Sequence, residues 1–167
     1  MRCFLWPILC LVIIFSAMPL QGQEKSGRTT RYVEVAKYDP NRNAEKDLAD
    51  ALAEAKRAGK RLLLAVGVDW CEWCHALDNF YAQNLEILAF RKRNYVHVKI
   101  AFAPQSIQVL SRFPPIPGYP HFFILESSGQ LLHSQDTTEL ELGKSYDTAK
   151  FSAFLKKWAP YSKTKKQ

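Results

Sequence analysis

The chain has 167 residues, a formal net charge of +7 at neutral pH and 47% hydrophobic residues. This length fits one domain of ordinary size, and the hydrophobic fraction excludes wholesale disorder. Seven glycines and nine prolines exclude a collagen-like or low-complexity chain. The four cysteines fall into two separate pairs: Cys3 and Cys10 lie near the start, and Cys71 and Cys74 are three positions apart.

Residues 1–22 predict a secretory signal peptide. One positive charge, Arg2, precedes a long apolar run, and this order is typical of a segment that directs export. Cleavage is expected after Gly22. An uncleaved signal anchor is the alternative, but Pro7 and Pro19 weaken it because proline disrupts a long helix. The expected location is therefore periplasmic or secreted, with a membrane association only if the signal is retained.

Removal of that segment leaves two cysteines, both in one C-x-x-C motif, so a framework of structural disulfides is not possible. Much of the positive charge lies in Lys156, Lys157 and a basic tail at residues 161–167. Such a tail is typical of a solubilising terminus. Basic and aromatic residues are not interleaved, so no nucleic-acid partner is expected.

The first part of the mature chain predicts two strands with a helix between them. Residues 32–38 alternate loosely between apolar and polar, which predicts an edge strand. Apolar residues at helical spacing predict a helix over residues 44–58, which Asn43 can cap and Gly59 can end. The continuous apolar run at residues 62–66 predicts a strand that is buried on both faces.

The rest of the chain continues the alternation and then closes with neighbouring strands. The predicted elements are a helix at residues 71–83 with an extension over 85–90, a strand at 95–101, a short helix at 106–113, an irregular proline-rich segment at 114–120, strands at 121–125 and 131–134 joined by a hairpin turn, a loop at 136–146, and a final helix capped by Asp147. The order β-α-β-α-β-α-β-β-α predicts an α/β fold with a central mixed sheet flanked by helices. The expected domain spans residues 43–160 and follows an N-terminal extension at residues 23–42.

The motif Cys71-Glu72-Trp73-Cys74 lies where a buried strand is followed by a helix. A cysteine at a helix N-terminus faces free backbone N–H groups and the positive end of the helix dipole, and both favour the nucleophilic thiolate. Cys71 is therefore the predicted nucleophile. Cys74, one turn later on the same face, is the predicted resolving thiol and forms the redox-active disulfide with Cys71.

Three other interpretations of the motif remain open. A zinc site would need a second pair of ligands, whereas the other histidines of the mature chain are scattered, at His97, His121 and His133. A buried, inert cysteine pair conflicts with Trp70 and Glu72, which indicate a surface turn. Residues 71–75 also match C-x-x-C-H, the attachment signature of c-type haem. Both methionines lie in the signal segment, however, and the α/β order differs from an all-helical haem fold, so no metal or cofactor is expected.

The sequence Asp69-Trp70-Cys71-Glu72-Trp73-Cys74 resembles the W-C-x-x-C active site of the thioredoxin superfamily. The similarity covers roughly residues 43–158 and is closest to exported bacterial proteins related to the disulfide-interchange proteins. The resemblance implies a thiol-disulfide oxidoreductase that acts on protein thiols and disulfides and has an upstream redox partner. It also implies a cis-proline opposite the cysteines. Tyr119-Pro120, directly before the strand at residues 121–125, matches that position, and Pro117 is the second choice.

Three features depart from the thioredoxin pattern. A buried acidic residue usually lies six positions before the first cysteine, but Ala65 occupies this position, so the usual proton acceptor for the resolving cysteine is missing. Water, Glu72 or His75 could substitute for it. Glu72 opposes ionisation of the nearby thiol, whereas a protonated His75 favours it. His121 follows the predicted cis-proline, where it either interacts with the Cys71 thiolate or is an ordinary residue at a strand end.

The aromatic residues near the motif predict a surface for substrate. Trp70, Trp73, Tyr119 and Pro120 would form an apolar lip that accepts an extended peptide, although Trp73 could equally pack against the helix. A different function is a non-catalytic binding module in which the cysteines are only a redox switch. Reductants, oxidants and isomerases share one scaffold and differ in reduction potential, so the sequence predicts disulfide exchange without its direction.

Overall fold

The computed structural model describes residues 32–161. The predicted signal peptide, the first part of the N-terminal extension and nearly all of the basic tail lie outside the described residues. Within the described range, the helices are all too short or too polar to cross a membrane.

A four-stranded mixed sheet lies at the centre of the fold. Its strands are β1 (Arg61–Gly67), β2 (Tyr95–Ala101), β3 (His121–Leu125) and β4 (Leu131–Asp136), in the spatial order β2-β1-β3-β4. β1 pairs in parallel with β2 and antiparallel with β3, and β3 pairs antiparallel with β4. The predicted mixed sheet is therefore confirmed, with its parallel portion between the first two strands.

The helices are arranged around this sheet. They are α1 (Ala44–Ala58), α2 (Glu72–Gln83), α3 (Leu85–Asn94), the single turn α4 (Ile107–Leu110) and α5 (Thr148–Lys157). The predicted caps of α1 are present, since the Asn43 side chain accepts a hydrogen bond from the Lys46 N–H and Gly59 ends the helix at a φ of 64°. Glycine adopts this left-handed conformation without steric cost.

The sheet separates two buried layers. Successive residues of a strand point to opposite faces, so Leu62, Leu64 and Val66 pack with α1 on one face, whereas Leu63 and Ala65 pack with α2 and α5 on the other. This explains why β1 is a continuous apolar run, as predicted for a strand buried on both faces. The cysteine motif belongs to the second layer.

The predicted edge strand at residues 32–38 is wrong, because this segment joins no sheet. Side chains attach it to β2 in place of a backbone ladder: Tyr32 donates a hydrogen bond to the His97 carbonyl oxygen (2.7 Å), and the Lys99 ammonium donates one to the Ala36 carbonyl oxygen (3.0 Å). The loose alternation of apolar and polar residues at 32–38 therefore belongs to a segment that side-chain hydrogen bonds attach to β2.

Other predicted boundaries change as well, and β4 runs two residues further than the predicted strand at residues 131–134. The expected helix at residues 106–113 is reduced to a 3₁₀ turn, Pro104–Ser106, followed by the short α4. The extension at residues 85–90 is a separate helix, α3, which begins after Asn84. The expected loop at residues 136–146 contains a 3₁₀ turn, Thr137–Leu140, and a small hairpin of β5 (Glu141–Leu142) and β6 (Ser145–Tyr146).

Candidate active site

The two cysteines of the motif form a disulfide at the start of α2. Cys71 is the N-cap residue, Cys74 lies in the first turn, and their Cα atoms are 5.2 Å apart. The Cys74 backbone N–H donates a hydrogen bond to the Cys71 sulfur at 3.1 Å. The Cys71 sulfur thus occupies the position where a helix favours negative charge.

The two cysteines differ in exposure and surroundings. Cys71 is 7% exposed and Cys74 is 1% exposed. The Cys71 sulfur lies 3.4 Å from the carbonyl oxygen of Tyr119. Cys74 lies in the buried layer between α2 and the sheet, in the cluster that includes Leu77. A reagent from solvent therefore reaches Cys71 more readily than Cys74.

The loop that faces Cys71 contains the proline singled out in the sequence. The Tyr119–Pro120 peptide bond is cis, and it is the only cis bond within residues 32–161. The Thr137 hydroxyl donates a hydrogen bond to the Pro120 carbonyl oxygen at 2.5 Å. The turn after β4 thus fixes the loop that carries Tyr119 beside the cysteine.

An exposed aromatic surface surrounds the same loop. The Trp70 side chain is 79% exposed, and Phe102, which is 39% exposed, packs its ring against Tyr119 with 5.4 Å between ring centroids. The Phe102 N–H donates a hydrogen bond to the Gly67 carbonyl oxygen, which fixes its backbone next to the end of β1. Sequence reasoning missed Phe102, although an exposed aromatic residue directly after a buried strand is a signal that could have found it.

Trp73 has different neighbours from the other aromatic residues of the predicted lip. Its ring packs edge-to-face on Tyr146 with 5.7 Å between centroids, and its carbonyl oxygen accepts a hydrogen bond from the Tyr146 hydroxyl at 3.2 Å. Trp73 thus packs on β6, a neighbour that neither of the two roles weighed from the sequence named.

The charged and polar candidates of the sequence analysis are not brought together. Glu72 and His75 are both exposed in the first turn of α2. His121 is buried, its Nε2 lies 2.8 Å from the Ser134 hydroxyl, and its ring lies beside Phe123. Burial lowers the pKa of the His121 imidazole. Because Phe123 packs in the α1 layer and the two residues are two positions apart on β3, His121 points away from the layer that contains the cysteines.

The histidines considered for a metal site have separate partners. His97 Nδ1 lies 2.8 Å from the Glu34 carboxylate, and the His133 ring stacks on Trp158 with 4.5 Å between centroids. Across residues 32–161, no three His, Cys, Asp or Glu side chains are grouped so that they could hold a metal ion.

A buried lysine lies in the same layer as Cys74. The Lys99 ammonium, on β2, donates a hydrogen bond to the Asp78 carboxylate of α2 at 2.5 Å and lies 5.0 Å from the centre of the Tyr38 ring. Sequence reasoning missed Tyr38, Asp78 and Lys99. A lysine within an otherwise apolar strand is the signal that could have drawn attention to this group.

The fold and the cysteine pair are those of the thioredoxin-like family. The model of that family matches residues 43–127, just over half of the chain. The chain therefore belongs to the thioredoxin-like family, and it has the fold and the disulfide-forming C-x-x-C pair of a thiol-disulfide oxidoreductase. No curated protein matches the chain significantly.

Solved structures agree with this assignment. A disulphide isomerase from Xylella fastidiosa Temecula1 is 27% identical, with a TM-score of 0.63 over 72% of this chain and 94% of that one. The C-terminal domain of DsbD from Neisseria meningitidis, in its oxidised form, is 18% identical, with a TM-score of 0.54 over 74% of this chain and 99% of that one. A thioredoxin from Thermus thermophilus is 18% identical, with a TM-score of 0.50 over 72% and 85% of the two chains. The latter two likenesses concern the fold alone.

Proposed function

We propose that this protein exchanges disulfides with protein substrates through Cys71 as the nucleophile and Cys74 as the resolving thiol. The observation that carries the proposal is the asymmetry of the disulfide at the start of α2. The sulfur of Cys71 accepts the Cys74 N–H and faces the Tyr119 loop, whereas Cys74 is buried behind it. A nucleophile needs access and a stabilised thiolate, and a resolving thiol needs protection from solvent reagents.

The proposed reaction begins with the reduced pair. The Cys71 thiolate attacks one sulfur of a substrate disulfide, a mixed disulfide forms, and the other substrate sulfur leaves as a thiolate that takes a proton from solvent. The Cys74 thiol then loses its proton and attacks the Cys71 sulfur. The bond to the substrate breaks, the substrate leaves as a second thiolate, and the Cys71–Cys74 disulfide is formed. The reverse sequence of steps oxidises a substrate dithiol.

The substrate is proposed to be an extended peptide segment around a cysteine. The exposed rings of Trp70 and Phe102 and the partly buried ring of Tyr119 offer apolar contact around the loop that faces Cys71. Pro120, which the sequence also placed in this lip, is buried and does not add to the exposed surface. Glu72 and His75 at the helix start are proposed to adjust the charge near the thiolate. Aromatic side chains provide much contact area with little loss of conformational entropy.

The sequence supports an exported setting for this activity. We propose that residues 1–22 act as a signal peptide and that residues 43–160 form the redox domain, between an extension at residues 23–42 and a basic tail at residues 161–167. The partners would be exported proteins with thiols or disulfides and an upstream protein that restores the redox state of the cysteine pair.

Trapping of mixed disulfides tests the proposal. Reduced Cys74→Ser protein, incubated with a disulfide-bonded protein substrate, should accumulate a mixed disulfide through Cys71 that a reductant releases. Cys71→Ser protein serves as the matched control and should accumulate none, and both variants should lose catalytic turnover. Turnover that is unchanged in both variants would overturn the proposal. The absence of both adduct and turnover in every form would favour a non-catalytic binding module. A strong haem band in the visible spectrum of the purified protein would also overturn the proposal.

A further inference from the structure

A tyrosine from the segment before α1 lies beside the resolving cysteine. Tyr38 is buried in the same layer as Cys74, and its hydroxyl has no hydrogen-bond partner among the described residues. Buried polar groups in native proteins nearly always have a partner, so such a hydroxyl needs a physical explanation.

Gly67 creates the space in which the two residues meet. A Cβ atom placed on Gly67 would lie 2.7 Å from the Cys74 sulfur and 2.7 Å from the Tyr38 Cζ atom. The Cys74 sulfur and the Tyr38 Cζ atom are therefore separated by no more than twice 2.7 Å. The hydroxyl oxygen of Tyr38 is bonded to this Cζ atom and lies further along the ring axis. Any other residue at the end of β1 would fill the space between the ring and the sulfur.

The oxidation state of Cys74 decides how well its sulfur can accept a hydrogen bond. A sulfur in a disulfide is a weak acceptor and carries no hydrogen, so it offers the Tyr38 hydroxyl little. Reduction turns Cys74 into a thiol that ionises, and a thiolate is a strong, charged acceptor. Reduced Cys74 therefore offers an acceptor that the disulfide does not.

The surroundings keep Tyr38 in its neutral, donating form. Burial raises the pKa of its phenol well above the ordinary value, and the nearby Asp78 carboxylate raises it further, with smaller effects from Tyr146 and Tyr81. The Lys99 ammonium, which lies over the face of the ring, is bound by Asp78 and by a backbone carbonyl. Tyr38 can therefore donate a hydrogen bond to an anion, but it cannot act as the base that removes a proton.

We propose that the Tyr38 hydroxyl donates a hydrogen bond to the Cys74 sulfur when the disulfide is reduced, and that it stabilises the Cys74 thiolate during the resolving step. In that step the thiol proton goes to solvent, the thiolate attacks the Cys71 sulfur, and the substrate departs with the electron pair of the broken bond. The role rests on the proposed disulfide exchange. Ala65 stands where thioredoxins have a buried acid that accepts a proton from the resolving cysteine. In this protein the Tyr38 hydroxyl would assist the resolving step as a hydrogen-bond donor and not as a base.

The pKa of Cys74 provides a direct test that needs no substrate. In a Cys71→Ser background, the Cβ chemical shift of carbon-labelled Cys74 is followed against pH. Adding Tyr38→Phe should raise the pKa of Cys74 by about one unit, which is the size expected for loss of one hydrogen bond to a charged group. Tyr81→Phe is the matched control, because it removes another buried hydroxyl without a partner within residues 32–161. That control should leave the pKa of Cys74 unchanged.

The resolving rate provides the second measurement. With both cysteines present, release of a preformed mixed disulfide at neutral pH should be about threefold slower in Tyr38→Phe than in the wild type, because the loss of thiolate is partly offset by the greater nucleophilicity of a thiolate with a higher pKa. The attack of Cys71 on substrate should keep its rate. Thermal unfolding of each variant shows that it is folded. An unchanged pKa of Cys74 in folded Tyr38→Phe, or an equal shift in Tyr81→Phe, would overturn the inference.

The two measurements separate this inference from the proposed function. If the wild type exchanges disulfides and the pKa of Cys74 does not respond to Tyr38→Phe, only the role of Tyr38 is overturned. If the pKa responds but the wild type forms no mixed disulfide, the proposed function fails and the resolving role fails with it.

Discussion

The two sulfurs of one disulfide differ in their surroundings, although both cysteines belong to the same buried layer. Around Cys71 there are backbone groups and exposed aromatic rings, with the Tyr119 carbonyl oxygen 3.4 Å from the sulfur. Around Cys74 there is a closed layer that contains a tyrosine hydroxyl and, nearby, a buried lysine–aspartate pair. The difference arises because one cysteine caps α2 and the other begins its buried face, so a symmetric covalent bond has one accessible end and one protected end.

The largest expected difference between the two sulfurs is in their rates of alkylation. After reduction, Cys71 should react rapidly with iodoacetamide, and Cys74 about a hundredfold more slowly, because its reaction requires a local opening of about 3 kcal/mol. Mass spectrometry of the alkylated peptides at successive times measures both rates. Similar rates for the two cysteines would show that the buried environment of Cys74 is not maintained in the reduced protein.

The folded protein should become less stable on acidification, because of a buried histidine on β2. Burial and the Arg91 charge lower the pKa of His97 to about 4, against the attraction of Glu34. In the unfolded chain His97 takes up a proton at higher pH than in the folded one, so stability falls as the pH drops from about 6.5 towards 4. At about pH 4 the free energy of unfolding should be lower by about 3 kcal/mol than at neutral pH. Urea unfolding at a series of pH values measures it.

A His97→Asn variant is the control for this pH dependence. Its side chain does not titrate, so the decline between pH 6.5 and 4 should be smaller by the contribution of His97. In the wild type, Glu34 adds a second loss of stability at lower pH. Burial raises the pKa of Glu34, but the contact with His97 and the charge of Arg91 outweigh burial and lower this pKa to about 2. Its stabilisation is therefore lost as the pH falls from about 4.5 towards 2. An equal decline in His97→Asn would assign the pH dependence to other groups.

Gly67→Ala should disturb the environment of Cys74 directly. The added methyl group would meet both the Cys74 sulfur and the Tyr38 ring at 2.7 Å, so the variant should lose about 2 kcal/mol of unfolding free energy through overpacking. Gly118→Ala is the control, since nothing lies within 4 Å of its added carbon, and it should change stability by less than about 0.5 kcal/mol. If both variants unfold at the same urea concentration, the close approach at Gly67 is not a rigid feature.

The smallest expected effect concerns the aromatic surface near Cys71. Phe102→Ala removes the ring that packs on Tyr119 and should weaken binding of a protein substrate by about 1 kcal/mol, seen as a severalfold higher KM. Reduction of a small-molecule disulfide, which needs no such surface, should keep its rate. Equal losses for both substrates would indicate that Phe102 affects the reacting cysteine and not peptide binding.

The features that could be predicted from the sequence depend on residues close together in the chain. The caps of α1 at Asn43 and Gly59, the doubly buried β1 and the placement of Cys71 at a strand–helix junction are all present. Each is encoded within a few residues, because helix ends and strand burial follow local spacing and capping chemistry. The edge strand at residues 32–38 failed because its alternation matched a strand while its partners were side chains of β2.

The sequence by itself determined the family, the alternation of strands and helices, and the presence of a C-x-x-C pair at a helix start. Only the tertiary structure decided which residues surround each sulfur. Phe102 meets Tyr119 near Cys71, Tyr38 meets Cys74 across Gly67, and Trp73 turns towards Tyr146. These partners lie far apart in the chain, and their contacts depend on how the sheet and helices pack. No local pattern of propensity or spacing encodes that packing.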